Sequence, residues 1–147
     1  MINRFMVITL CVVSLVGCGE AVEEIDIVEV VEVFTNGTVK EERVQLKGDT
    51  VQITTYHPNA EISFEGRVVL VEGEDVKEGV WTASYPDGGP WSRSTFIGGL
   101  RDGEYKTWHP NGQLNISGTY DYGVAVGHWQ FMDAKGFVTR EFDTAPN

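Results

Sequence analysis

The strongest constraint on the fold of this chain is a block of residues that recurs every 24 positions. Each copy begins and ends with glycine and carries an aromatic residue two positions after its first glycine. The copies occupy residues 79–88, 103–112 and 127–136, and their aromatic residues are Trp81, Tyr105 and Trp129. A fixed period of this kind indicates a repeat architecture, in which each unit packs against its neighbours.

The segments between the blocks repeat as well. Residues 96–99 align with residues 120–123, and a Gly-x-x-x-Gly step leads from each of them into the next block. Nearer the N terminus the pattern decays: Ala60 replaces the closing glycine in one copy, and Asn36-Gly37 is a fainter copy still. The predicted turn positions are therefore 37, 60, 88, 112 and 136, which gives three clear units and two degraded ones.

Each unit is predicted to be a β-hairpin. Apolar and polar residues partly alternate, so along 113–120 we expect Leu114, Ile116 and Tyr120 to share one face. The turn chemistry is Pro-Asn-Gly or Pro-Asp-Gly, in which proline presets φ and glycine accepts positive φ, as in a type I turn followed by a glycine bulge. Pro90 removes one ladder donor, so an irregular hairpin is expected in unit 79–102.

The aromatic residues are predicted to form the core of the array. A single hairpin is marginal in water, whereas stacked repeats bury a face that no unit could bury alone. The predicted core aromatics are Trp81, Phe96, Tyr105, Tyr120 and Trp129. The glycines at the repeat joints, such as Gly127, are expected to allow positive φ and close strand approach.

These motifs carry a family resemblance. The pattern Tyr120-Asp121-Tyr122-Gly123, followed by Gly127-His128-Trp129 and later by Gly136, resembles the MORN repeat. It is most similar to the bacterial variant in proteins labelled as antitoxins of the YwqK family. The resemblance covers residues 79–143 well and residues 34–78 poorly. It implies an all-β fold, an elongated antiparallel meander of stacked hairpins, and five units would supply about ten strands.

The N terminus is predicted to be a signal peptide. Arg4 precedes an uncharged, apolar run over residues 5–17, which is too short to span a bilayer comfortably. The run ends in Leu15-Val16-Gly17-Cys18, which resembles the lipobox of bacterial lipoproteins. That resemblance implies cleavage before Cys18, lipid attachment to its thiol and anchoring to a membrane. The alternative is an ordinary secretory signal with an incidental cysteine.

The composition of the remaining chain predicts three further segments. Residues 18–33 form an acidic tether and a possible first strand, residues 34–143 the repeat domain, and residues 144–147 a tail. The clearest units are 79–102, 103–126 and 127–143. Gly19, rather than Asp, follows the cysteine, which in Gram-negative lipoproteins implies the outer membrane and its periplasmic side.

Charge excludes several classes of partner. Cleavage before Cys18 removes Arg4 and no acidic residue, which lowers the net charge from −11 to −12. This charge argues against nucleic acid, which demands cationic side chains, and against anionic phospholipid headgroups. Cys18 is the only mature cysteine, so no intramolecular disulfide is possible, and acylation accounts for it.

The sequence offers no catalytic constellation. His57 and His109 occupy matching turn positions, which repetition explains better than metal ligation does. The glycine steps lack the Lys-Ser/Thr sequel of a phosphate loop, and the serines lack a nucleophile-elbow context. We therefore expect no enzyme activity, no metal and no cofactor.

Two functions remain from the sequence. The first is a membrane-anchored binding or scaffolding module of the cell envelope, whose partner is another envelope protein. The alternative is a toxin-neutralising partner protein, as the family label implies. Trp108 is the candidate contact residue, because its equivalents Ser84 and Met132 vary and alternation places it opposite Tyr105. A single exposed aromatic is also ordinary on a protein surface.

Overall fold

The computed structural model describes residues 28–144, and every described element is a β-strand. The predicted signal peptide 1–17, Cys18 and the last three residues of the predicted tail lie outside the described residues. The strands are β1 (Val28–Val33), β2 (Val39–Gln45), β3 (Thr50–Tyr56), β4 (Ile62–Val71), β5 (Glu74–Ser84), β6 (Pro90–Ile97), β7 (Leu100–Trp108), β8 (Leu114–Asp121), β9 (Val124–Met132) and β10 (Val138–Thr144).

The ten strands form one open antiparallel sheet in sequence order. Each strand pairs with the strand that follows it in the chain, so the sheet contains no crossover. This arrangement confirms the predicted meander of five hairpin units, including the two degraded ones. Strand β1 lies inside the segment 18–33, where a first strand was expected.

The five predicted turn positions all adopt positive φ. The values are 84° at Gly37, 68° at Ala60, 82° at Gly88, 81° at Gly112 and 85° at Gly136. In each turn the backbone N–H of this residue donates to the carbonyl three residues earlier, as from Gly112 to His109 at 2.8 Å. Ala60 therefore occupies a glycine position at a steric cost, and the turn type is set by the neighbouring Pro-Asn pair.

A β-bulge follows each of these turns. In β8 the partner of Thr107 is Ile116 and the partner of Trp108 is Leu114, so Asn115 is the extra residue. The equivalent extra residues in the other hairpins are Lys40, Ser63, Trp91 and Thr139. The irregularity predicted beside Pro90 is therefore present, but it belongs to the repeat and not to the proline.

The bulge overturns one predicted pattern. Because Asn115 is inserted, Leu114 pairs with Trp108 on one face, while Ile116 pairs with Thr107 on the other. The expectation that Leu114, Ile116 and Tyr120 share a face is wrong at Leu114. One inserted residue reverses the alternation of every residue beyond it.

We call the face that carries Trp81, Phe96 and Trp129 the aromatic face, and the opposite side the second face. Trp81, Phe96 and Trp129 are buried as predicted, together with the aliphatic residues Val51, Ile53 and Val68. Tyr105 and Tyr120 are half-buried and pack against Trp129, with ring centroids 5.9 and 5.1 Å away. The predicted aromatic core is therefore present, and aliphatic residues of β3 and β4 extend it.

The glycines that open the blocks act through backbone conformation. Gly79, Gly103 and Gly127 have φ of 71°, 100° and 65°, and three residues around each one oppose a single residue of the preceding strand. A Cβ added at Gly127 would meet nothing within 4 Å. Positive φ at this joint is confirmed, whereas the expected close packing at Gly127 is wrong.

Close packing occurs instead at two other glycines. A Cβ at Gly66 would overlap the Trp81 indole, and a Cβ at Gly118 would overlap the Trp129 indole. Each of these indoles therefore lies flat against the backbone of the preceding strand. The equivalent residue beneath Tyr105 is Ser94, its direct partner across β6 and β7.

Candidate ligand-binding cavity

Two cationic residues occupy the same repeat position on the aromatic face. Lys77 pairs with the buried Val68, and Arg101, one period later, pairs with the buried Phe96. Cross-strand partners point to the same side of a sheet, so both cations project over the aromatic core. The next equivalent position holds Ala125, and the row of cations ends there.

The Lys77 ammonium lies among three aromatic rings. Its nitrogen is 4.5 Å from the Trp81 ring centroid, 4.8 Å from that of Phe64 and 5.1 Å from that of Phe96. Burial lowers the pKa of Lys77, and the nearby positive charge of Arg101 lowers it further. The ring faces partly replace the water that this ammonium loses.

Arg101 continues the same arrangement. Its guanidinium carbon is 5.6 Å from the ring centroids of Phe96 and Tyr105 and 5.7 Å from that of Tyr120. Within residues 28–144, the ion pairs involve other residues, and neither Lys77 nor Arg101 has a carboxylate partner. Two like charges are thus held near each other without neutralisation.

A cavity of about 390 Å³ opens beside these two cations. Besides Lys77 and Arg101, its wall contains aromatic and aliphatic side chains, and these are Phe64, Trp81, Trp91, Phe96, Tyr105 and Ile116. Its uncharged polar residues are Ser92, Ser94, Thr107 and Asn115. None of the lining residues is acidic, although the chain contains twice as many acidic as basic residues. Small-molecule sites have this mixture of apolar walls and few polar groups.

One hydroxyl in the wall lacks a partner. Thr107 is only 6% exposed, and its Oγ1 is buried without a hydrogen bond to any residue of the described segment 28–144. A buried hydroxyl without a partner costs about 1–3 kcal/mol. This cost falls on a residue of the cavity wall.

Trp91 stands at the mouth of the cavity and was missed by sequence reasoning. It is 53% exposed and contacts Tyr85 at a centroid distance of 6.3 Å. It is the extra residue of its bulge, at a position that the other hairpins fill with Lys40, Ser63, Asn115 and Thr139. A tryptophan where every other hairpin holds a polar or charged residue was the sequence signal that could have identified it.

The candidate residue Trp108 lies elsewhere. Strand β7 alternates regularly from Tyr105 to Trp108, so Trp108 is on the second face, as predicted. Its side chain is half-buried there, and it pairs with Leu114. Its role in binding a partner stays a prediction, and the other predicted residue, Cys18, lies outside the described residues.

The turn histidines have a structural role. The Nε2 atom of His57 is 2.9 Å from the Ser84 carbonyl, and that of His109 is 2.8 Å from the Met132 carbonyl. In the hairpin between them, the Tyr85 hydroxyl donates to the Trp108 carbonyl at 2.9 Å. Each turn is thereby bonded to the next hairpin. No group of three or more possible metal ligands occurs within residues 28–144.

One known protein family matches part of this chain. Residues 101–122, which comprise β7 without its first residue, the following turn and β8, match the family model described as a MORN repeat variant. Searches of curated proteins and of solved structures gave no significant match. The chain therefore contains MORN-type repeats, which indicate a non-catalytic repeat module. Residues 28–144 include no helix long and apolar enough to cross a membrane.

Proposed function

We propose that this chain is a membrane-anchored, non-catalytic binding module of the bacterial cell envelope. The observation that carries the proposal is the cavity on the aromatic face, where Lys77 and Arg101 lie unneutralised beside aromatic rings. On the second face, Trp108 is proposed to contact an envelope protein. The two faces would then serve a small ligand and a protein partner separately.

Attachment through Cys18 accounts for the N-terminal sequence. Leu15-Val16-Gly17-Cys18 ends the apolar run, and the mature chain would have no other cysteine. An acidic tether at residues 19–26 would hold the sheet away from an anionic membrane surface. Gly19 after the cysteine supports placement at the periplasmic side of the outer membrane.

The anchor is tested by replacing Cys18 in the full chain produced in a Gram-negative host. Cys18→Ala should abolish incorporation of labelled palmitate and shift the protein to the aqueous phase in detergent partition. Cys11→Ala is the matched control, because Cys11 lies in the segment to be removed, and it should keep both properties. Equal labelling of Cys18→Ala and the parent would disprove the anchor.

Binding is tested by photo-crosslinking in intact cells, with mass spectrometric identification of the products. A photoreactive amino acid is placed at Trp91, at Trp108 or at Thr119, which is exposed on the second face and serves as the control. Specific products from positions 91 and 108, absent at 119, would support the module. The same pattern at all three positions would contradict it. A captured protein that is toxic to cells lacking this chain would favour the toxin-neutralising alternative.

The protein contact at Trp108 needs a separate variant. Trp108→Ala should weaken capture of the partner identified at position 108 while the thermal melt stays close to that of the parent. Trp129→Ala serves as the comparison, because Trp129 is buried in the core and its loss should destabilise the fold. A collapse of Trp108→Ala to the same extent would assign Trp108 to packing alone.

A further inference from the structure

The charge of the cavity wall is opposite in sign to the net charge of the chain. The whole chain has a net charge of −11, yet the cavity wall holds Lys77 and Arg101 and no carboxylate. Acidic side chains are abundant enough to pair with both cations, and they do pair with others, as Asp75 does with Arg43. Two neighbouring positive charges without a counterion favour an anion placed between them.

The uncharged part of the wall indicates what else the ligand carries. Trp91 presents an exposed indole at the mouth, and the half-buried Tyr105 supplies further ring surface inside. Hydroxyl and amide groups accompany these rings, and those of Ser92 and Asn115 belong to half-buried residues of the wall. A flat apolar surface combined with several uncharged hydrogen-bonding groups suits a ring that bears hydroxyl groups.

We propose that the cavity binds an acidic sugar, with the carboxylate between Lys77 and Arg101 and the sugar ring against Trp91. This inference rests on the proposed function, because it names the ligand class of the same cavity. The half-buried side chains of Ser92 and Asn115 in the wall then pair with the sugar hydroxyls. A bound carboxylate neutralises the repulsion between the two cations.

The small volume of the cavity and its two positive charges disfavour larger polyanions as ligands. A nucleic acid or an anionic bilayer is bound by many basic residues over an extended surface, whereas this cavity offers two within about 390 Å³. The excess of acidic residues elsewhere in the chain would repel such a surface. A single carboxylate on a small ring avoids that repulsion.

The inference is tested on the full chain purified in detergent, with glucuronate as the probe. Ligand-detected NMR and tryptophan fluorescence compare glucuronate with glucose, which has the same ring without the carboxylate, and with inorganic phosphate. Glucuronate should bind at least about tenfold more tightly than either. Equal affinity for glucose would show that the cations take no part, and tighter binding of phosphate would show a simple anion site; each result overturns the acidic sugar.

Variants locate the site. Lys77→Met and Trp91→Ser should each weaken glucuronate binding by about tenfold, and serine is what the equivalent position 63 holds. Arg140→Met is the matched control, because Arg140 lies over Phe131 and Phe142 on the same face but outside the cavity. If Lys77→Met does not fold, Arg101→Leu tests the same charge. An equal loss in Arg140→Met would overturn the assignment to this cavity.

The last comparison separates this inference from the proposed function. Vesicles containing phosphatidylglycerol should not compete with glucuronate, and competition would identify a lipid as the occupant instead. If crosslinks form at position 91 while glucuronate fails to bind, the acidic sugar is wrong and the binding module stands. If glucuronate binds while neither crosslinks nor palmitate labelling are found, the envelope role is wrong and the cavity assignment stands.

Discussion

Arg43 of β2 reaches Asp75 of β5 across two intervening strands. Its guanidinium donates two hydrogen bonds to the carboxylate, at 2.9 and 2.5 Å, on the aromatic face. The partners of these residues in the sheet are Ile53 and Leu70, which belong to the aliphatic part of the core or pack against it. The pair therefore closes over the buried residues where the degraded repeats meet the clear ones.

Breaking this pair should destabilise the N-terminal half of the sheet. Both side chains are partly exposed, so we expect Asp75→Ala to lower the free energy of unfolding by about 1 kcal/mol, and less at high salt. Chemical denaturation at two salt concentrations measures this. Glu32→Ala is the control, because the Lys40–Glu32 pair is more exposed and joins neighbouring strands. Equal losses in the two variants would contradict the role given to Asp75.

The glycine beneath Trp129 should not tolerate a methyl group. In Gly118→Ala the added Cβ would overlap the indole, so the Trp129 ring must shift and the free energy of unfolding should fall by about 1–3 kcal/mol. Ser94→Ala is the matched control at the equivalent position, where a Cβ is already present, and should cost less than Gly118→Ala because it brings no new atom against a ring. Thermal melts of both variants measure the difference. Similar losses of stability in the two variants would contradict the packing argument.

Gly127 should resist substitution for a different reason. Its φ of 65° is left-handed, and the space around its Cβ position is open. Gly127→Val should therefore cost about 1–2 kcal/mol through backbone strain alone. Gly127→Asn is the control, because asparagine adopts this conformation more readily, and its melting temperature should lie between those of Val and the parent. An unchanged melt for Gly127→Val would remove the explanation for the glycine.

The ladder of turn amides is interrupted once, and repairing it should stabilise the protein. Asn59 Nδ2 donates to the Pro86 carbonyl at 2.6 Å, and Asn111 Nδ2 donates to the Ala134 carbonyl at 2.5 Å. Asp87 occupies the equivalent position, and its carboxylate has no N–H to donate to the next turn. Asp87→Asn should add about 0.5–1.5 kcal/mol to the free energy of unfolding.

The reciprocal variant controls that experiment. Asn111→Asp removes a donor from the ladder and should reduce stability by a comparable amount, while both variants keep the side-chain oxygen that accepts a backbone N–H within the turn. Denaturant midpoints measure both changes. A loss of stability in Asp87→Asn would contradict the ladder.

Tyr56 should make stability depend on alkaline pH. Burial, with help from the hydrogen bond to Glu42, raises its pKa from the ordinary tyrosine value of 10.0 to about 12. The folded state thus holds the phenolic proton more tightly, so this contribution is complete below about pH 10 and is lost as pH rises from 10 towards 12. Tyr56→Phe should reduce the loss of stability in that range, as denaturant midpoints between about pH 9 and pH 11 would show. An identical pH profile in Tyr56→Phe would contradict the linkage.

The turns, and through them the number of strands, follow from local sequence alone. Five turn positions were readable from the Pro-Asn-Gly and Pro-Asp-Gly chemistry and its degraded copies, and even Ala60 adopts the positive φ of its glycine equivalents. A turn is a local structure, and a few consecutive residues fix it. The repeat period then dictated an antiparallel meander, because each short turn returns the chain beside the strand it has just left.

Which side chains meet depends on how the hairpins pack together. A bulge at Asn115 moved Leu114 to the second face, and the indoles of Trp81 and Trp129 settled on Gly66 and Gly118 rather than on the glycines that open the blocks. Lys77 and Arg101 both lie over the Phe96 ring, and Arg43 bonds Asp75, so residues from different hairpins meet in both cases. Such contacts depend on the register and on the bulges of every strand between the two residues. Each bulge shifts the pairing of the strands beyond it, and the sequence of one hairpin does not show the combined shift.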